Sequence, residues 1–469
     1  MPPPNDPQPA NTSTTIASSH AAAAQSSGSY RWVICGLLFF ATTFNYLDRQ
    51  VISYLKEFFC TPTQQGGFGW TNSDFAHLTA AFTAFYAGMT IVAGWFIDKI
   101  GTKLGLALSL IVWSVFGIAN AFISSAVWMH MIIRSAFGIG EAGNFPASIK
   151  TVAEWFPKRE RALATGIFNS GSNFGAMIAA LFVPWCMIHF GDQQGWKMAF
   201  ILTGAVGFIW LFFWFWLYET PSKQKRLSKS EYDYIHIDDE TAADVQTGDK
   251  AKVPWGRLLG YRQTWSFFFG KFLTDGIWWF YLFWLPDYLK KQFGMTKHEV
   301  MLPTFIVYGI AIIGSVGGGS IPMALIKKGM PVYQARMTAM LLIGLTPLTV
   351  LSTQFFADAH RFGGLASTLA IAVICIGAAA HQAWSANLFT TVSDMFPKKA
   401  VGSVTGIGAM AGGLGGVVVQ LLVGSLTDTF KDQPQHAYLI MFFICGLSYL
   451  AAWAIMKALV PQHKPITDL

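Results

Sequence analysis

The sequence predicts an all-α membrane protein, with twelve transmembrane helices arranged as two six-helix halves. Three observations carry that expectation. Apolar runs recur along all 469 residues, many at or above the ~20 residues needed to cross a bilayer. Charged residues make up only 12% of the chain, while Gly, Phe and Trp are abundant. The second half of the chain also repeats the pattern of the first.

Taken in order, residues 1–29 are rich in Pro, Ala, Ser and Asn and lack a basic start, so they read as a disordered tail and not a cleaved signal peptide. Six spans follow near 31–57, 74–97, 103–123, 126–151, 161–187 and 197–218, making an N-terminal bundle over 30–218. A polar, basic linker covers 219–262. Six more spans, near 263–288, 299–326, 332–353, 365–392, 400–428 and 436–459, make a C-terminal bundle over 263–460, and a short tail covers 461–469.

Lys and Arg orient the chain. They crowd the loops on the side shared by both termini (Lys99, Lys103, Lys158, Arg159, Arg161, Lys327, Lys328, Lys398, Lys399) and the 219–262 linker. The opposite loops hold mainly Lys290, Lys291 and Lys297. Both termini are therefore expected in the cytoplasm, with the chain multi-pass in the cell (inner) membrane. The net charge of +7 reflects this bias and gives no reason to propose nucleic acid. Cys35, Cys186, Cys375 and Cys445 fall within spans, and no spacing suggests a metal site or a disulfide framework.

The repeat is specific. Glu154-Trp155-Phe156-Pro157-Lys158 is echoed by Asp394-Met395-Phe396-Pro397-Lys398, and the same register matches Thr165-Gly166-Ile167 to Thr405-Gly406-Ile407 and Gly175 to Gly415. Parallel repeats of this kind mark transporters and place the substrate site at the midplane between the halves. The register sets Glu141 opposite His381 and Arg134 opposite Ile374, so the halves share architecture but not charge.

Four charges lie inside apolar spans: Asp48 and Arg49 in the first, Arg134 and Glu141 in the fourth. Each costs about 2.5–3.5 kcal/mol at bilayer depth, which makes it a functional-site hypothesis by default. Arg49 has the planar donor fork that suits a carboxylate. Burial and nearby guanidinium groups push the protonation of Asp48 and Glu141 in opposite directions, which suits a proton-coupled role. Arg134, seven residues before Glu141, shares its helix face. Purely structural ion pairs are the alternative.

Span 7 is unusually aromatic. Trp278 and Trp279 are candidates to rest against a sugar ring, Trp284 near Pro286 reads as part of a membrane-interface belt, and Lys271 and Asp275 are spaced to pair with each other. His381, Gln382, Trp384, Ser385 and Asn387 form a polar patch on span 10, with Asn169, Ser172 and Asn173 similar on span 5. Hydroxyl recognition needs such groups, and helix–helix hydrogen bonding is the competing use. The Gly-rich runs at 314–319 and 412–416 lie within spans, where small residues allow close packing.

Several segments resemble the major facilitator superfamily. Gly94-Trp95-Phe96-Ile97-Asp98-Lys99-Ile100-Gly101-Thr102-Lys103 is similar to its signature between spans 2 and 3. Asn45-Tyr46-Leu47-Asp48-Arg49, Arg134–Ala142 and Glu154-Trp155-Phe156-Pro157 resemble the anion:cation symporter branch, and Ala380-His381-Gln382-Ala383 with Gly406–Gly416 resembles its bacterial hexuronate transporters. The resemblance implies that Arg49 binds the substrate carboxylate and that Asp48 and Glu141 take part in proton coupling. It implies that Tyr46 and Tyr86 belong to the cavity, where Asn45 is a further candidate contact, and that Gly94, Asp98, Lys99, Gly101 and Lys103 form a conformational latch. Two departures stand out. The C-terminal half lacks a clean copy of the signature, and a span 11 Asn that helps bind galactonate is here Ala409.

The expected protein is a monomeric, proton-coupled importer of a monocarboxylate sugar acid such as glucuronate or galacturonate, with protons as the coupling ion and no cofactor. Symport of another organic anion (an aldonate, a dicarboxylate or an aromatic acid) is the nearest alternative. A transporter-like sensor is more distant, because neither the linker nor a tail is long enough for a signalling domain. An enzyme is disfavoured by the lack of a nucleophile–base or metal constellation.

Overall fold

The computed structural model describes residues 28–237, 255–462 and 464–466. Residues 1–27 of the expected 1–29 tail lie outside the described residues, as do 238–254 of the linker, 463 and 467–469. The long elements are all helices. Span 1 is Tyr30–Cys60, span 2 Asn72–Ile100 and span 3 Thr102–Ala119. Span 4 is two helices, Val127–Glu141 and Asn144–Trp155. Pro146 has no N–H to give the Ala142 carbonyl, so the ladder breaks one residue past Glu141. Spans 5 and 6 run together as Lys158–Leu217 and divide at Gly191, whose φ of 70° and ψ of 163° only glycine adopts freely.

In the second half, span 7 is Arg262–Phe293, span 8 Met301–Lys327 and span 9 Val332–Leu345, continued by the 3-10 turns Thr346–Ser352. Span 10 is Ala366–Met395, span 11 Lys398–Thr429 and span 12 Pro434–Leu459. Eight helices among the described residues are long and apolar enough to cross a membrane. Spans 1, 4 and 7, which carry the buried charges, are not among them.

The repeated acid-x-Phe-Pro-Lys segment folds the same way twice. Phe156 (φ −129°, ψ 135°) and Phe396 (φ −117°, ψ 143°) end their helices in matching extended turns, and Pro157 and Pro397 open the next ones. The acids anchor those turns. Glu154 accepts from Thr102 at 2.8 Å and Tyr218 at 3.1 Å, while Asp394 pairs with Arg336.

Spans 2 and 11 form the seam between the halves, and it is wedge-shaped. Ala76, Ala87 and Gly94 share one face of span 2, and Gly424, Gly413 and Gly402 share one face of span 11. A Cβ on Gly424 would lie 2.3 Å from Ala76, and one on Gly413 would lie 2.2 Å from Ala87. At Gly402 and Gly94 a Cβ meets open space. The two helices therefore touch from the middle to the far end and part toward the end that carries the termini.

Trp284 corrects an expectation. It is fully buried, its Nε1 donates to Gln420 Oε1 at 2.6 Å, and Lys56 Nζ sits 4.5 Å over its ring. It seals the seam and does not face lipid.

Candidate functional site

Arg49 is the centre of the site. Successive residues on a helix point about 100° apart, so Asp48 and Arg49 of span 1 leave the backbone in different directions. Arg49 points toward the seam, where its Nε donates to Glu141 Oε2 at 2.9 Å and its Nη2 to Asn45 Oδ1 at 3.4 Å. Its guanidinium is caged by aromatic rings: Tyr46 at 4.4 Å, Tyr86 at 4.6 Å, Trp279 at 5.3 Å and Phe82 at 5.5 Å. Trp279 comes from the opposite half, so the cage closes across the seam. Cation–π contacts of this kind hold a guanidinium while leaving its donor edge available.

Behind Arg49 the N-terminal half buries the rest of the charge. Arg134 donates from Nη2 to the Arg49 carbonyl at 3.3 Å and lies 4.3 Å over Phe137. It is within electrostatic reach of both Glu141 and Asp48. Asp48 faces Thr203 and Trp113, away from the cage. Both Asp48 oxygens, Glu141 Oε1 and Arg134 Nη1 are buried without a hydrogen-bond partner among the described residues. Orphaned atoms of this kind cost about 1–3 kcal/mol each, more when charged, so the network is incompletely satisfied as it stands.

The C-terminal wall is aromatic and polar. Trp278 stacks on His381 at 5.1 Å with 4° between the planes, and His381 Nδ1 meets the Tyr449 hydroxyl at 2.9 Å. Lys271 pairs with Asp275 at 2.6 Å. Asn387 is turned to the backbone, donating to the carbonyls of Gly318 and Ala383 at 2.9 Å each, which is a helix-packing role. Gln382 and Ser385 are half-buried beside it. On span 5, Ser172 donates to the Asn169 carbonyl at 2.7 Å and Asn173 Oδ1 is buried without a partner among the described residues. Asn169 is exposed on the side of its helix opposite the outward Leu163, Phe174 and Leu181, so it faces the cavity.

The latch residues stay within their own half in the contacts seen here. Asp98 accepts from Lys150 of span 4 at 3.0 Å, and Lys99 sits 5.2 Å over Trp95. Gly101 takes a φ of 86° at the turn, and a Cβ on Gly94 would meet open space. Lys103 pairs with Glu219 at 2.7 Å and holds that carboxyl below the usual carboxylate range.

Sequence reasoning missed the closure at the far end. Lys56 pairs across the seam with Asp287 at 2.7 Å, both buried, and Tyr438 also donates to Asp287. Lys290 pairs with Glu57 at 2.5 Å and Lys297 with Asp192. Asp428 of span 11 accepts from the backbone N–H of Asn72 at 3.0 Å and of Ser73 at 2.7 Å, so one half caps a helix N-terminus of the other. Beneath lies Gln420, which accepts from Thr79 at 3.1 Å and donates to the Trp279 carbonyl at 3.2 Å. A lone Gln in the apolar Val417–Val423 run was the available signal.

Two helical bundles, a wedge-shaped seam and a caged guanidinium between them are the architecture of a membrane transporter. The superfamily model described as Major Facilitator Superfamily matches residues 38–420, and the chain belongs to that family. It is 32% identical over 441 residues to a hexuronate transporter of Escherichia coli strain K12, covering 94% of this chain and 96% of that one. It is 33% identical over 294 residues to a galacturonate transporter of Dickeya chrysanthemi, covering 62% of this chain and 81% of that one. A bacterial homolog of the human lysosomal transporter Spinster shares the fold, with a TM-score of 0.69 at 16% identity over 94% of this chain and all of that one.

Proposed function

We propose that the protein takes up a monocarboxylate sugar acid, a hexuronate such as glucuronate or galacturonate, together with protons across the cell (inner) membrane. On this reading the termini are cytoplasmic, the seam opens inward and the far end is closed. The observation that carries it is the single Nε–Oε2 contact between Arg49 and Glu141, which leaves the other Glu141 oxygen unpaired. The resemblance to hexuronate and galacturonate transporters supports the choice of cargo.

Charge balance gives the cycle. Two guanidinium groups and two carboxylates in the N-terminal half sum to zero. A substrate carboxylate arriving on Arg49 adds one negative charge and displaces Glu141. A displaced, buried carboxylate without a partner is costly, so Glu141 takes a proton and the sum returns to zero. With this one proton the loaded site rocks neutral, and with a second it rocks carrying one net positive charge. Asp48, with no hydrogen-bond partner for either oxygen among the described residues, is the site for a second proton. One proton with a monoanion is driven only by the pH gradient, ~1.4 kcal/mol per unit. A second proton adds ~2.3 kcal/mol per 100 mV of membrane potential.

Uptake of labelled galacturonate into proteoliposomes under an imposed pH gradient tests this. Accumulation that collapses with a protonophore supports the reading. Equilibration without accumulation at any gradient overturns proton coupling.

A further inference from the structure

We propose that the Lys271–Asp275 pair is a hydroxyl-binding subsite, which holds the far end of the sugar acid and turns away ligands with a second carboxylate. The inference rests on the sugar-acid reading of the Arg49 site and adds to it which part of the C-terminal wall reads the cargo.

The pair lies on the face of span 7 that also carries Trp278, one turn further along. Asp275 sits against Gly412 of span 11, where a Cβ would approach its Oδ2 to 2.2 Å, and Lys271 Nζ lies 4.5 Å over Phe389 of span 10. Glycine on one side and an aromatic face on the other pack against the pair, and His381 of span 10 lies within electrostatic reach of Lys271. Asp275 keeps 19% of its side chain open, against 7% for Lys271. It is also near enough to feel Tyr46 across the cavity and Tyr449 on its own side. The pair therefore faces the Arg49 cage from the opposite wall.

Its hydrogen-bonding capacity is unfilled. Among the described residues, Asp275 is the one polar partner of Lys271, and it takes one of three ammonium donors. Among the described residues the second Asp275 oxygen has no partner, so it can accept. A donor and an acceptor side by side match two neighbouring hydroxyls, one accepting from Lys271 and one donating to Asp275. Charge sharpens the match. The pair is neutral, so hydroxyls bind without altering the balance. A second carboxylate would have to displace Asp275 from Lys271 and leave it unpaired in a poorly hydrated wall.

The test uses the full-length protein in detergent, with ligand-dependent thermal shifts for galacturonate, galactarate (the same chain with a carboxylate at both ends) and a galacturonate deoxygenated at its far hydroxyls. Wild type should bind galacturonate at least ~10-fold tighter than galactarate and lose ~10-fold or more on deoxygenation. Asp275→Asn should weaken galacturonate ~10-fold and reverse its preference over galactarate, because Lys271 is then free for a carboxylate. Lys271→Gln should weaken galacturonate without admitting galactarate. If Asp275→Asn melts at the wild-type temperature and keeps the wild-type ratio, the subsite is overturned while the sugar-acid reading stands. If the variants do not fold, the deoxygenated ligand decides on wild type alone, and equal affinity for it overturns the subsite. A wild-type protein that responds to neither acid overturns the sugar-acid reading and the subsite with it.

Discussion

The two walls of the cavity each carry an ion pair, and the pairs are built differently. Arg49 and Glu141 come from spans 1 and 4, 92 residues apart in sequence. Lys271 and Asp275 are one turn apart on a single helix. A pair that bridges two helices depends on how those helices sit, so on the proposed cycle a ligand that takes Arg49 changes the protonation and packing of Glu141 at once. A pair within one helix keeps its geometry when the bundles rock, so it can read a ligand without being part of the switch. On the proposed cycle, coupling belongs to the N-terminal half and selection to the C-terminal half.

Substitutions can break that division. Arg49→Ala should have the largest effect, a loss of ~100-fold or more in ligand affinity, since charged hydrogen bonds are worth about 1.5–3 kcal/mol each. Isothermal titration with galacturonate measures it, and retention of wild-type affinity would remove Arg49 from the site. Next comes coupling. Glu141→Gln should abolish accumulation but keep exchange of labelled for unlabelled substrate, and Asp48→Asn should do the same if two protons are used. Unchanged accumulation in both variants would falsify the coupling scheme.

The far-end closure comes third. Asp287→Leu should destabilise by about 3–5 kcal/mol by stranding the buried Lys56, Lys56→Met should cost less because Lys291 still pairs with Asp287 at 3.2 Å, and the double variant should recover much of the larger loss. Thermal melts of the three proteins decide, and additive losses would mean the two residues act independently. Lys271→Gln should leave the pH dependence of uptake unchanged while lowering affinity for galacturonate. A shifted pH profile there would blur the division between walls. The smallest effect is Asn387→Ala, about 1 kcal/mol of stability with ligand affinity intact, because its amide serves the backbone of span 8.

The sequence carried much of this because its signals are local. Charges within apolar runs, the repeated turn at Phe156 and Phe396, and the i, i+4 spacing of Lys271 and Asp275 can all be read along one segment. Other features depend on what faces what. Asp428 and Asn72 lie 356 residues apart, and nothing in either segment says that one caps the other. Trp284 looked like a belt residue because belt and seam both favour indole, and only the position of Lys56 and Gln420 separates the two. Asn387 sits in a polar patch whose members differ by rotation about the helix. Its turn toward Gly318 follows from the close approach of spans 8 and 10, where a Cβ on Gly318 would lie 2.2 Å from Ala383.

The glycine–alanine seam between spans 2 and 11 also sets a mechanical scale. Gly413 stands eleven residues from both Gly402 and Gly424, so it is the fulcrum of a lever with arms of about 16 Å at 1.5 Å per residue. A tilt of roughly ten degrees about that point moves each tip by about 3 Å. That travel carries the Lys56–Asp287 contact from 2.7 Å past the ~4 Å limit of an ion pair while the opposite tips close by a similar amount. Hydrogen at position 413 is what lets the fulcrum sit so close to its bearing. An alanine there would act as a shim, widening the joint and holding one set of tips apart through the whole cycle.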